Sequence, residues 1–209
     1  MKEATDLSVL VKNSGEWLRG TGPESDIVIS SRIRLARNLA GFPFIRKCSP
    51  EDREKIERQV RSRLENLPDW DEIPYVDIAT LSEVDRQFLV ERQLISREIA
   101  DSEGSRAVAI DPSEQYSVMI NEEDHLRIQV MHSGLDLVSA WEQIDRIDDA
   151  IEGEVLYAFH NKFGYLTACP TNVGTGLRVS VMLHLPGLVI TQQIEKVFRS
   201  MQRINVTVR

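Results

Sequence analysis

GYLTACPTNVGTGLRVSVMLHLP, Gly164 to Pro186, joins a Cys-Pro step at Cys169 and Pro170 to a turn of small residues, Asn172, Gly174 and Gly176, and then runs into a strand. Leu177, Val179, Val181, Leu183 and Leu185 fall on alternate positions, so Arg178, Ser180, Met182 and His184 point the other way. One side of the strand seeks a core; the other carries chemistry. Glycines let a backbone approach a ligand closely, and an arginine just after them supplies a planar fork matched to phosphate oxygens. The stretch reads as an anion site built on a sheet.

Outward from it, other segments repeat the design. DIVISSRIRLARNL places Ile27, Ile29, Ile33 and Leu35 on one face and Ser30, Arg32 and Arg34 on the other. NEEDHLRIQVM joins Glu122, Glu123 and Asp124 to an alternation of Leu126, Ile128 and Val130 against Arg127, Gln129 and Met131. If extension persists backward, Glu123 shares the face of Arg127. A last strand sets Ile204, Val206 and Val208 against Asn205, Thr207 and Arg209. A single arginine on a strand is more often a solvated position than a ligand. Four strands with the same polarity carry more weight. Aligned in one sheet, they gather Arg32, Arg34, Arg127, Arg178 and Arg209 over one surface, where unliganded guanidiniums repel, so a polyanion is expected. A nucleoside triphosphate with its magnesium fits that charge.

Helices are marked by caps and period. Ser49 with Pro50 and Asp52 opens a helix that carries Ile56, Val60, Leu64 and Leu67 at helical spacing. Ser82 with Asp85 opens another over 82–93 and sends Phe88, Leu89 and Leu94 inward. Residues 135–161 predict one long helix, 186–202 another, and residues 4–19 an N-terminal amphipathic helix resting on Leu7, Val11, Trp17 and Leu18. Strands are expected at Tyr75–Ala79, Arg106–Ile110 and Gln115–Ile120, with a polar loop suited to a flap at Ser102–Ser105.

Composition bounds the function. With 209 residues and 42% hydrophobic content, the chain can bury the core of one domain plus a short arm. A net charge of −8 argues against binding nucleic acid or an anionic membrane through overall charge. Of its 25 basic residues 19 are Arg, a bias that suits bidentate anion recognition and that genomic base composition also produces. Cys48 and Cys169 cannot form a disulfide scaffold, and His125, His132, His160 and His184 lack zinc-ligand spacing, so no protein-held metal is expected. No apolar run approaches the ~18 residues of a membrane span. The start lacks a signal-peptide core, and the expectation is a soluble, cytoplasmic protein.

SSRIRLARNL, NEEDHLRIQ and CPTNVGTGLR together resemble the ATP:guanido phosphotransferases, most closely the bacterial protein-arginine kinases, from about Gly22 to the last residue. The resemblance implies an α+β fold, a mainly antiparallel sheet flanked by helices. It implies a catalytic domain over 26–209 preceded by an N-terminal helical arm over 1–25. With only about thirty residues before Arg32, the separate helical domain that small-molecule arginine and creatine kinases carry there is not expected, an expectation that favours a bulky protein substrate in an open cleft. By position, Ser30, Ser31, Arg32, Ile33, Arg34, Arg127, Arg178 and Arg209 match the family's ATP site, and Val179, Ser180, Val181 and Met182 match the segment lining the nucleotide. Gln93 stands where the family usually has a nucleotide-contacting histidine. Glu123 matches the carboxylate holding the substrate guanidinium, Glu122 is its neighbour, and Cys169 matches the cysteine beside that guanidinium. On residues alone, Cys169 is better read as a buried structural thiol. Arg209 falls inside what the family carries as Arg-Gly-x-x-Gly-Glu, so a C-terminally truncated domain lacking the second catalytic glutamate is expected.

The implied reaction is in-line transfer of the γ-phosphoryl of Mg-ATP to a nitrogen of a protein arginine. Glu123 cannot deprotonate the guanidinium beforehand, since a carboxylate of pKa about 4 faces a group above about 12. It would orient the nitrogen and accept its proton as the N–P bond forms. The alternatives are a non-catalytic module binding ATP or phosphoarginine, and a small-molecule arginine kinase. Partners implied are proteins with exposed arginine, an activator, a protease machinery in a stress response, and a second copy in a homodimer.

Overall fold

β1 (Val28–Arg37) is the strand on which the sheet is assembled, pairing antiparallel with β5 (Leu126–Ser133) on one side and β8 (Leu177–Leu183) on the other. Beyond β5 lie β4 (Tyr116–Ile120), β3 (Ala107–Ile110) and β2 (Tyr75–Asp77), giving a six-stranded sheet in the order β2-β3-β4-β5-β1-β8. Every pairing in it is antiparallel. A hairpin of β6 (Phe159–His160) and β7 (Gly164–Tyr165) forms a second, two-stranded sheet. The structure, a computed structural model, describes residues 7, 10–11, 14–66 and 73–208.

After the N-terminal segment, the α-helices among the described residues are α1 (Pro50–Leu64), α2 (Glu83–Glu91), α3 (Arg97–Ala100), α4 (Leu137–Glu152), α5 (Pro186–Ile190) and α6 (Ile194–Arg203). The start of α1 follows from its cap: Ser49 Oγ accepts from the Asp52 N–H, and the Asp52 carboxylate accepts from the Ser49 N–H. Ile56, Val60 and Leu64 of α1 and Ala140, Ile144 and Ile151 of α4 are buried against Ile33, Leu35, Val118, Ile120, Ile128 and Val130. Each large side chain so buried contributes roughly 1.5–3 kcal/mol. At the β2–β4 end the other face packs differently. Val76, Val108, Ile110 and Met119 meet Leu89 of α2, Leu94, Ile95, Ile99 of α3, and Leu7 and Leu10. The polar face of β5, β1 and β8 belongs to neither cluster.

Several expectations change. The helix expected over 135–161 stops at Glu152, before Gly153. Val155 and Tyr157 then fold back into the core, Tyr157 bridging Leu39, and Phe159 joins the exposed hairpin. The helix expected over 186–202 is broken between α5 and α6, where Gln192 takes φ 57°. No strand forms over 204–208: Asn205 lies at φ 59° in a turn, and the following residues join no ladder. Arg209 and Leu67 lie outside the described residues, as does most of the N-terminal segment. There Leu7, Leu10 and Trp17 are buried, whereas Val11 and Leu18, expected to pack, are exposed. β2 ends at Asp77 because its carboxylate accepts from the Ala79 N–H and starts a 3-10 turn. β8 is an edge strand, and Leu177, Val179, Val181 and Leu183, expected in a core, remain 36–49% exposed.

Candidate active site

Register decides which side chains meet. Arg34 lies opposite Arg178 on β8 and opposite Gln129 on β5; Arg32 lies opposite Ser180 and Met131; Arg127 lies opposite Ala36. Directly paired residues share a face of an antiparallel sheet. Arg32, Arg34, Arg127 and Arg178 therefore stand on one side, away from Ile33 and Leu35. Arg34, Arg127 and Arg178 line a depression together with Glu122, Glu123, Asp124, Asn172 and Gly176. Arg32 Nη1 donates to Gln93 Oε1 at 3.1 Å, and its Nε donates to Ser180 Oγ at 3.3 Å. Gln93 thus sits against this arginine face, just past the end of α2.

β1 splits the remaining residues by parity. Ser30 is buried on the arginine side, opposite Met182. Ser31 and Ile33, matched by position to the ATP site, turn their side chains to the opposite face. Ser31 Oγ donates to the Gly134 carbonyl at 2.7 Å and accepts from the Asp136 N–H at 3.1 Å, fixing the entry to α4. Ile33 is core. On β8, Ser180 and Met182 share the arginine face, whereas Val179 and Val181 point away from it.

The acidic cluster is a turn rather than a strand extension. Asn121 takes φ 60°, and the ladder of β5 begins only at Leu126, so alternation does not carry Glu123 onto the face of Arg127. Glu122, not Glu123, makes the ion pair with Arg127. The same Oε1 accepts from Ser96 Oγ at 2.6 Å, and Glu122 Oε2 accepts from the Glu123 N–H at 2.8 Å. Glu123 is left exposed at the rim. Partial burial, then the charges of Asp124 and Glu122, push its carboxyl above the usual carboxylate range. Behind the turn Arg106 is buried, and desolvation with repulsion from Arg53 lowers its pKa while Glu122 opposes the shift.

Asp124, the third carboxylate of the acidic cluster, and Asn38, which carried no signal in the sequence, tie the acidic turn to the loop over residues 166–168. Asp124 Oδ1 accepts from Asn38 Nδ2 and from the Ala168 N–H, both at 2.6 Å. Asn38 Oδ1 accepts from the His125 N–H at 3.0 Å, and Asn38 Nδ2 also donates to the Leu166 carbonyl at 3.0 Å. His125 Nδ1 accepts from the Leu39 N–H at 2.9 Å, so Nε2 carries the proton that meets the Pro43 carbonyl at 2.9 Å. Burial lowers its pKa and keeps this imidazole neutral. The loop so anchored carries Cys169, which precedes a 3-10 turn at Pro170–Asn172; its Sγ lies 3.0 Å from Thr171 Oγ1. Cys169 is half-buried and does not line the depression.

Arg37 is the arginine that parity separates from the others. It follows Ile33 and Leu35 onto the covered side, 4% exposed, and forks onto Asp148 of α4 through Nε and Nη2. Its Nη1 donates to the Ala36 and Thr175 carbonyls at 3.0 and 2.8 Å, and its guanidinium lies 3.8 Å from the Tyr165 ring centroid. Tyr157 OH donates to Asp148 Oδ1 at 3.1 Å. This cluster braces the Thr175–Gly176 corner that delivers Arg178. Gly176 takes φ 65°, and a Cβ there would come 2.5 Å from the Ala36 carbonyl oxygen.

The profile of the ATP:guanido phosphotransferase C-terminal catalytic domain matches residues 55–209. A protein-arginine kinase of Symbiobacterium thermophilum is 49% identical over 198 residues, covering 92% of this chain and 56% of that protein. A protein-arginine kinase of Moorella thermoacetica is 44% identical over 206 residues, covering 97% and 59%. The chain therefore spans a little over half the length of these curated relatives. Among solved structures, a duplicated taurocyamine kinase from Schistosoma mansoni with bound transition state analog components superposes with a TM-score of 0.76 at 28% identity, over 85% of this chain and 26% of that one. A lombricine kinase superposes with a TM-score of 0.73 at 25% identity, over 95% and 57%.

Proposed function

The chain belongs to the ATP:guanido phosphotransferase family, and from that premise we propose that it transfers the γ-phosphoryl group of Mg-ATP to a guanidinium nitrogen of arginine side chains in proteins. The observation that carries the reading is the common face of Arg32, Arg34, Arg127 and Arg178 beside the acidic turn. Phosphoryl transfer asks a protein mainly for alignment and neutralisation of charge. This donor set fits a polyphosphate, and magnesium would arrive with the nucleotide. Arg34, Arg127 and Arg178 grip phosphoryl oxygens within the depression, and Arg32 does so from beside Gln93. Arg209 joins the phosphate ligands by its match to the family motif. The Val179–Met182 segment of β8 lines the nucleotide.

Glu123 orients the acceptor guanidinium and takes its proton as the N–P bond forms. Its raised pKa makes it a better base than an ordinary carboxylate. Glu122 works through Arg127, and Cys169 is a second contact for the guanidinium, placed by the Asp124–Ala168 hydrogen bond. Residues 26–209 form the catalytic unit and 1–25 an arm. The names of the relatives support protein acceptors. Resemblance alone supports the wider setting: a cytoplasmic stress response, an activator, a protease that receives modified proteins, and a homodimer.

Labelled ATP and an arginine-rich protein test the reading. The expected product carries acid-labile, alkali-stable label, and Glu123→Gln should lower transfer by about two orders of magnitude or more while nucleotide still binds. Nucleotide binding without transfer would reduce the chain to a binding module. Equal efficiency on free arginine would reassign the acceptor. Retained transfer in Glu123→Gln would remove that residue from its role.

A further inference from the structure

Building on the ATP site just proposed, we infer that Trp17, Arg92 and Glu114 are positioning residues for the nucleotide, holding the Arg92–Gln93 turn whose side-chain carbonyl fixes the Arg32 guanidinium. The chain of contacts starts in the N-terminal segment. Trp17 is buried, and its indole Nε1 donates to the Arg92 carbonyl at 3.2 Å. Arg92 Nε donates to Glu114 Oε2 at 2.9 Å, Nη2 pairs with Glu114 Oε1, and Nη2 also reaches the Leu10 carbonyl at 3.4 Å. The Glu114 side chain is fully buried in this pair. Gly15 packs so closely that a Cβ on it would come 2.9 Å from Glu114 Oε2.

The other end of the relay is a backbone held in an unfavoured state. Gln93 takes φ 62°, a conformation that a residue with a Cβ keeps only when its surroundings hold it. Its carbonyl accepts from Gln129 Nε2, and its Oε1 accepts from Arg32 Nη1 at 3.1 Å. Trp17 and the ion pair clamp the adjacent residue, so they set where that Oε1 stands. An Arg32 fork already oriented by Gln93 and Ser180 loses less freedom when it meets a phosphate. Trp17 thus tunes the nucleotide site through Arg92 and Gln93.

The test uses the whole chain with Trp17→Phe, which removes the N–H and keeps a ring, with Gln93→Ala, and with Trp141→Phe, an exposed position on α4, as control. ATP affinity, affinity for an arginine-rich acceptor protein, and hydrogen exchange at Arg32 Nε in the nucleotide-free chain are measured. Trp17→Phe and Gln93→Ala should each weaken ATP about three- to tenfold, the scale of one partly buried hydrogen bond, and leave the acceptor affinity unchanged. Acting through one contact, the double variant should bind ATP no worse than Gln93→Ala. Arg32 Nε–H should exchange faster in both single variants and not in Trp141→Phe. Glu114→Gln should show the same ATP and exchange changes with a lower melting temperature. A melting shift alone, additive effects in the double variant, or a Trp17→Phe indistinguishable from Trp141→Phe overturns the relay. Should the wild-type chain bind no ATP, the proposed function fails, and the Arg32 exchange comparison still decides the relay.

Discussion

Glu122 and Glu123 are neighbours with different environments. One is buried under Ser96 and Arg127; the other stands at the rim with like charges behind it. Because the Glu123 pKa is raised, ionising it works against the fold. Stability is lost as pH rises through the raised value, and it is recovered below the ordinary carboxyl pKa of 4.5. Glu123→Gln should therefore unfold at higher denaturant than the wild type at neutral pH, and the gain should vanish toward pH 4, as urea titrations would show. Transfer should run the opposite way: protonated Glu123 cannot accept a proton, so the acid limb of the rate profile should lie above that ordinary value. Alternation of apolar and charged residues was enough to put Arg32, Arg34, Arg127 and Arg178 on one face. The same parity puts Arg37 with Ile33 and Leu35, and Asp148 falls in the apolar stripe of α4; each stripe held one misplaced charge, and together they marked the pair. Asp148→Ala, which leaves Arg37 buried and uncompensated, should cost roughly 3–5 kcal/mol in unfolding free energy.

Elements whose signals are local were legible. Ser49 with Asp52 and Ser82 with Asp85 each form the reciprocal cap that their spacing predicts, and β1, β4 and β5 fall where alternation puts them. Elements that depend on distant partners were not. Val155 keeps the helical period of α4, yet the chain leaves the helix because Tyr157 finds Asp148 and Leu39 instead. Alternation over 204–208 is as clean as in β8, but among the described residues no strand lies alongside to pair with it. The acidic turn escaped because a positive φ at an asparagine leaves no hydropathy trace. The corner before β8 makes a sharper prediction. Gly176→Ala meets both a left-handed backbone and the Ala36 carbonyl, and should cost roughly 1–3 kcal/mol by denaturant titration. It should also weaken ATP binding by shifting Arg178.

At the scale of the molecule, helices cover one face of the sheet over β3, β4, β5 and β1 and the other at the β2–β4 end, which leaves the arginine field beside the acidic turn outside both clusters. Guanidiniums gathered on one face suit a polyanion. ATP at a hundredfold excess over its Kd should raise unfolding free energy by about 2.7 kcal/mol. The affinity behind that gain should fall with salt as the guanidinium–phosphate attraction is screened, and Arg178→Ala should lose most of it. The outer edge of β8 bears a different consequence. Its outward backbone N–H and C=O groups have no neighbouring strand among the described residues, and its Leu177, Val179, Val181 and Leu183 side is open. That combination is a template for intermolecular strand addition, so concentrated solutions of the chain should scatter light progressively. A lysine in place of Val181 should keep them clear.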